Sequence, residues 1–236
     1  MRANAAAPAF VFVLLMTIPC VASAAPPADL PADPRVVPIS EVLRDTQRSS
    51  EDTSTLDLVW WIPVEFWQAA MADRPPQEVR AIVAALSPYT LVGVAYGTVS
   101  SLGLSSWTGE EDLRAALVLR DGLAEFRPLS ESAINADARD LAGVVKPILA
   151  GLMGGFGENL HFFFFAGREA GRRVDDPFAG TALTVTHGSE TYVFRRPLGS
   201  LLAPKTCRVD HERLSGAYRY CPYHGKELVR LETGRE

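Results

Sequence analysis

Two hairpin signals constrain this chain more than any other feature. Residues 117–120 and 123–127 flank Asp121-Gly122, a dipeptide that supplies the positive φ angles a tight turn needs. Residues 181–186 and 190–195 flank His187-Gly188-Ser189 in the same manner. Each signal requires antiparallel pairing, and helices and strands interleave irregularly around them. That combination points to an α+β fold, a mixed or antiparallel sheet with packed helices, rather than a doubly wound parallel sheet.

The other elements follow from periodicity and punctuation. Leu56-Asp57-Leu58-Val59-Trp60-Trp61-Ile62-Pro63-Val64 reads as a strand, with Pro63 marking a sheet edge or a strand end. A short helix is expected over 65–72. Pro75-Pro76 opens a helix whose Val79, Ile82, Val83 and Leu86 fall at i, i+3, i+4, i+7, and Pro88 closes it. Residues 89–99 are apolar or small throughout, as in a strand buried on both faces. Thr108 and Glu111 have capping-box spacing for a helix over 109–116. Asn135 caps the longest predicted helix, 136–153, in which Leu141, Val144, Val145, Ile148, Leu149 and Leu152 form one apolar stripe and Pro147 predicts a kink. A Gly-rich break at 154–157 precedes a predicted central strand at 160–165.

Residues 1–24 read as an export leader. Arg2 gives the positive start, 9–18 an apolar core, Pro19 a break, and Ala22-Ser23-Ala24 a cleavage site. The core is half the roughly twenty residues a membrane-spanning helix needs. Cys20 is expected to leave with the leader. Residues 25–54, rich in proline and charge, are expected to be a flexible linker with a short helix near 39–44, ahead of a globular domain at 55–204 and a C-terminal segment at 205–236. The expected address is periplasmic or secreted, in a bacterium, with no transmembrane segment in the mature protein. A net charge of −5 gives no support to a nucleic-acid partner.

The C-terminal segment carries the most chemistry. Cys207-Arg208-Val209-Asp210-His211 is followed by Cys221-Pro222-Tyr223-His224-Gly225-Lys226-Glu227-Leu228. The spacing at 207, 210, 221 and 224 resembles the short zinc-ribbon family, with Asp210 standing where a cysteine is expected. That resemblance implies metal ligands Cys207, Cys221 and His224, completed by either His211 or Asp210, and a structural zinc as the candidate cofactor. The favoured expectation is nevertheless a Cys207–Cys221 disulfide, because two cysteines left in an oxidising compartment pair by default. Closing a loop of that length would contribute about 3 kcal/mol. Over most of residues 56–228 the chain also resembles a group of uncharacterised exported bacterial proteins. The resemblance rests on the Trp60–Trp67 run, Gly157-Glu158-Asn159-Leu160-His161-Phe162-Phe163, Asp176-Pro177-Phe178 and Tyr220-Cys221-Pro222. It implies no activity.

Trp60, Trp61 and Trp67 offer a candidate binding surface, because strand alternation sends Trp60 and Trp61 to opposite faces. No Gly-x-Ser-x-Gly, His-Glu-x-x-His or P-loop pattern is present. The expected function is therefore non-enzymatic binding of a protein or envelope component by an exported protein with a structural Cys/His clasp. The alternatives are a hydrolase-type enzyme using Glu158, His161 and Asp175 or Asp176, and periplasmic zinc handling.

Overall fold

The computed structural model describes residues 32–230 apart from 51, 53 and 104. The expected leader, Cys20 and the start of the linker lie outside the described residues. In chain order the elements are α1 (Ile39–Thr46), β1 (Gln47–Arg48), β2 (Thr55–Trp61), α2 (Val64–Ala70), α3 (Pro76–Leu86), β3 (Tyr89–Val99) and β4 (Ser105–Trp107). Next come α4 (Glu110–Ala116), β5 (Leu117–Asp121), β6 (Ala124–Phe126), α5 (Ala136–Met153), α6 (Gly155–Glu158) and β7 (His161–Ala166). Then follow β8 (Arg168–Glu169), β9 (Arg172–Arg173), β10 (Leu183–His187), β11 (Glu190–Phe194), β12 (Lys205–Thr206), β13 (Arg213–Leu214) and β14 (Val229–Arg230).

The fold is α+β, and every strand pair among these elements is antiparallel. In the first sheet β3 is central. It pairs with β2 along one side and with β7 and β4 in succession along the other, while β1 extends β2. The second sheet runs β11-β10-β5-β6, and a small third sheet, β13-β12-β14, carries the C-terminal segment.

The register explains how the first sheet is buried. Trp61, Val92 and Phe163 line up on one face, and Trp60, Gly93 and Phe162 on the other. Trp60 meets Phe66 of α2 edge-on at 4.9 Å, whereas Trp61 meets Phe194 of β11 at 5.9 Å. Helices therefore cover one face and the second sheet covers the opposite one. Trp60, Trp61 and Trp67 are 4 %, 0 % and 8 % exposed, so the expected tryptophan binding surface is core instead. Alternation does send Trp60 and Trp61 to opposite faces of β2, but both faces are covered.

Local differences have local reasons. β2 stops at Trp61, and Pro63 sits at the N-terminus of α2 rather than in a strand. The residue before α4 is Gly109 with no side-chain cap, so Thr108 lies one position too early for the predicted capping box. Both hairpins close with two-residue loops, Gly122-Leu123 and Gly188-Ser189, whose glycines have φ of 60° and 59°. Positive φ at the first loop position alone is the II′ pattern, so the first turn falls one residue later than Asp121-Gly122. Asp121 is thereby the last residue of β5, and it is buried. Asn135 caps α5 as predicted, accepting from Ala138 N at 2.8 Å, and the helix continues through Pro147. Its apolar residues do not form one buried face. Leu141, Val145 and Leu149 pack on the core, while Val144, Ile148 and Leu152 are exposed. The end of the expected linker belongs to the fold: α1 buries Val42 completely, β1 pairs with β2, and Asp45 accepts from Ser200 N at 2.8 Å.

One buried charge ties the second sheet to the chain that leads out of it. The Arg196 side chain is fully buried and donates to the Asp121 carboxylate, to Val174 O at 2.9 Å, to Asp176 O at 3.1 Å, and to both the Thr181 carbonyl and hydroxyl. Arg172 reaches the second Asp121 oxygen at 2.7 Å. Burial pushes the Asp121 carboxyl up, but the two guanidinium groups outweigh it and hold the acid below its ordinary range. Truncating Arg196 would leave Asp121 with Arg172 as its only guanidinium partner and remove the donor to several carbonyls. Arg196→Met is expected to cost about 3–5 kcal/mol, read as a lower urea midpoint at unchanged slope. A cost under about 1 kcal/mol would show that the clamp does not act as a buried pair.

Candidate metal centre

The third sheet presents two tight turns, each opened by a cysteine. In the first, Cys207 N donates to Glu212 O at 2.9 Å and His211 N donates to Cys207 O at 3.0 Å. In the second, Cys221 N donates to Lys226 O at 2.7 Å and Gly225 N donates to Cys221 O at 2.9 Å. The fifth residue of each turn has positive φ, 61° at His211 and 62° at Gly225. Glycine adopts this conformation freely, and His211 occupies the same position in the first turn. These are two copies of one knuckle, facing each other across the small sheet.

Cys207, Cys221 and His224 converge. His224 Nδ1 lies 3.5 Å from each sulfur, and the three ligand atoms fall within 4.8 Å of one another. Two ligands of a tetrahedral zinc, one sulfur at about 2.3 Å and one nitrogen at about 2.0 Å, stand about 3.5 Å apart. The donor set and its spacing therefore fit zinc. Both cysteines are buried and free, so the expected disulfide is not formed. The reason lies in the knuckles, which aim each sulfur at the imidazole. Burial pushes the Cys221 thiol up, but N–H groups of His224 and Tyr223 and the His224 ring outweigh it and lower it. Cys207 is raised, because burial, Asp210 and Cys221 together overcome the N–H groups that lower it.

His211 and Asp210, the two residues expected to complete the ligand set, are both exposed and both stand outside the cluster. At the fourth residue of the first knuckle stands Asp210, whose Oδ2 is 3.6 Å from His224 Nδ1.

The residues expected for hydrolysis are divided among different partners. Glu158 is exposed at the end of α6. Asp175 is buried in a three-group ion pair, with Arg173 donating to it at 2.7 Å and to both oxygens of Glu65 at 2.7 and 2.9 Å. Asp176 accepts from Phe178 N at 2.9 Å within a turn. His161, at the start of β7, instead meets Glu110 of α4, with Nδ1 3.2 Å from Glu110 Oε2 and 3.4 Å from Lys146 Nζ of α5. These two contacts exclude each other. Glu110 accepts only when Nδ1 carries a proton, and Lys146 donates only when it does not. Glu110 also receives Arg114 at 2.9 Å. Glu110 and Lys146 are 51 and 15 residues from His161, and no local spacing in the sequence announces either.

No protein-family profile, curated protein or solved structure matches this chain. Among the described residues no helix is long and apolar enough to cross a membrane.

Burial and Lys146 hold the His161 imidazole below its ordinary pKa, and the Glu110 carboxylate acts in the opposite direction. Glu110→Gln is therefore expected to lower the His161 pKa further and Lys146→Met to raise it, followed by NMR titration of the ring protons. Unchanged titration in both variants would mean that the three groups do not meet in solution.

Proposed function

We propose that this chain is an exported zinc-binding protein whose C-terminal knuckles form a structural metal clasp, and that its role is binding a protein or envelope component rather than catalysis. The convergence of Cys207, Cys221 and His224 carries the metal reading. The poverty of the local core supports it as well. The apolar cluster of this segment consists of the two cysteines, Leu228 and the partly buried Leu214. So little apolar burial cannot offset the ordering of its loops, and small modules of this kind depend on a metal or a disulfide. A disulfide alone would give His224 no reason to sit equidistant from both sulfurs. The scatter of Glu158, His161, Asp175 and Asp176 among separate partners favours the non-enzymatic side. With the three tryptophans in the core, recognition falls to other surface.

Purified under reducing conditions, the protein is expected to hold one equivalent of zinc by elemental analysis. Cys207→Ser, Cys221→Ser and His224→Ala should each lose it, and chelation should loosen residues 205–230 in hydrogen exchange while the two larger sheets stay protected. Metal-free protein with the same exchange pattern at 205–230 would sink this reading.

A second reading, hydrolase-type chemistry, is favoured by one observation: His161 is paired with a carboxylate, Glu110, in the manner that orients a general base. It requires that His161→Ala abolish turnover of ester or amide substrates while zinc content is retained.

A further inference from the structure

The zinc reading leaves the fourth coordination position unassigned, and the repetition of the two knuckles assigns it. In both turns the cysteine N–H bonds the carbonyl five residues on, and the N–H of the fifth residue returns to the cysteine carbonyl. Backbones that repeat this closely present their fourth residues equivalently. In the second knuckle the fourth residue is His224, a member of the cluster. In the first it is Asp210. We infer, resting on the zinc reading above, that Asp210 is the fourth ligand, giving a mixed site of two thiolates, one imidazole and one carboxylate, and that His211 is a turn residue with no part in coordination.

One distance and one backbone conformation support this assignment. Asp210 Oδ2 is 3.6 Å from His224 Nδ1. A tetrahedral zinc with nitrogen at about 2.0 Å and oxygen at about 2.1 Å separates those atoms by about 3.4 Å. Asp210 lies outside the set of ligand atoms within 4.8 Å that Cys207, Cys221 and His224 already form, so coordination requires its exposed carboxylate to turn inward. The backbone conformation is that of His211. Its φ of 61° belongs to the position that Gly225 fills in the second knuckle.

Replacing a thiolate by a carboxylate has a chemical consequence. A hard oxygen ligand suits zinc and cobalt but weakens preference for soft ions such as copper(I), which thiolates favour. The site is thus built for zinc, held less tightly than in an arrangement with three or four thiolates.

Zinc affinity by chelator competition and the spectrum of the cobalt(II)-loaded protein, both measured on the intact reduced chain, test the assignment. Wild type should show the strong visible bands of a tetrahedral cobalt centre with charge transfer from two thiolates. Asp210→Ala should weaken zinc binding by about 100-fold or more, since even an outer-shell partner is worth about 10–100-fold. Asp210→Cys should bind more tightly and raise the charge-transfer intensity by about half, as a third thiolate joins. His211→Ala should leave affinity and spectrum unchanged. Loss of binding in His211→Ala with retention in Asp210→Ala would overturn the assignment in favour of His211. Unchanged behaviour in both would overturn it in favour of water. A wild-type chain that takes up neither zinc nor cobalt would sink the zinc reading itself, a result distinct from either.

Discussion

The organisation of this protein depends on burying β2, β3 and β7 on both faces at once. Those strands carry large side chains at consecutive positions, Trp60-Trp61 on β2 and Phe162-Phe163-Phe164-Phe165 on β7. Because consecutive strand residues point to opposite sides, no single covering layer could bury them. One layer is helical, with α2, α3 and α5 against Trp60, Leu91 and Phe164. The other is the second sheet, which brings Phe194 onto Trp61. The two glycine-turned hairpins are what make that second layer, so the hairpin signals and the tryptophan pair are two halves of one requirement.

A second sheet laid on the first has to be held at its ends, where apolar contact runs out. Buried ion pairs occupy those places. Arg196 fastens the end of β5, through Asp121, to the segment that leads into β10. Arg173 fastens that same segment, through Asp175, to Glu65 on α2. Such pairs contribute little net stability compared with apolar replacements, but each is costly to break from one side only. They join elements 75 and 108 residues apart in sequence, which apolar packing alone would allow to settle in more than one register.

What the sequence revealed follows the same division between local and distant. The α3, β3 and α5 boundaries and both hairpins were legible because proline, glycine, asparagine and apolar period act within a few residues. Burial of Trp60 and Trp61 was not, because it depends on what covers each face. The spacing of 207, 210, 221 and 224 pointed to the cluster, whereas the expected disulfide followed from an oxidising compartment, which does not say where the sulfurs point. His211 has the left-handed backbone conformation that Gly225 has in the second knuckle, and no composition or periodicity carries that information. Glu110 and Lys146, the partners of His161, come from other helices and left no trace near it.

The two cores of this protein solve the same problem at different scales. The larger has dozens of apolar side chains, enough for burial alone to hold three layers together. The C-terminal segment has Leu228, Leu214 and two cysteines. At about 1.5–3 kcal/mol for each buried leucine, apolar burial cannot order its turns. A structural zinc contributes on the order of 10–16 kcal/mol of apparent binding free energy in small modules of this kind. The segment places its few side chains accordingly: both cysteines go inward, His224 joins them at the rim, and residues 208–213 and 222–227 are left exposed. Arginine, glutamate and lysine share those turns with Val209 and Tyr223, which are themselves exposed, so the turns add little apolar burial of their own.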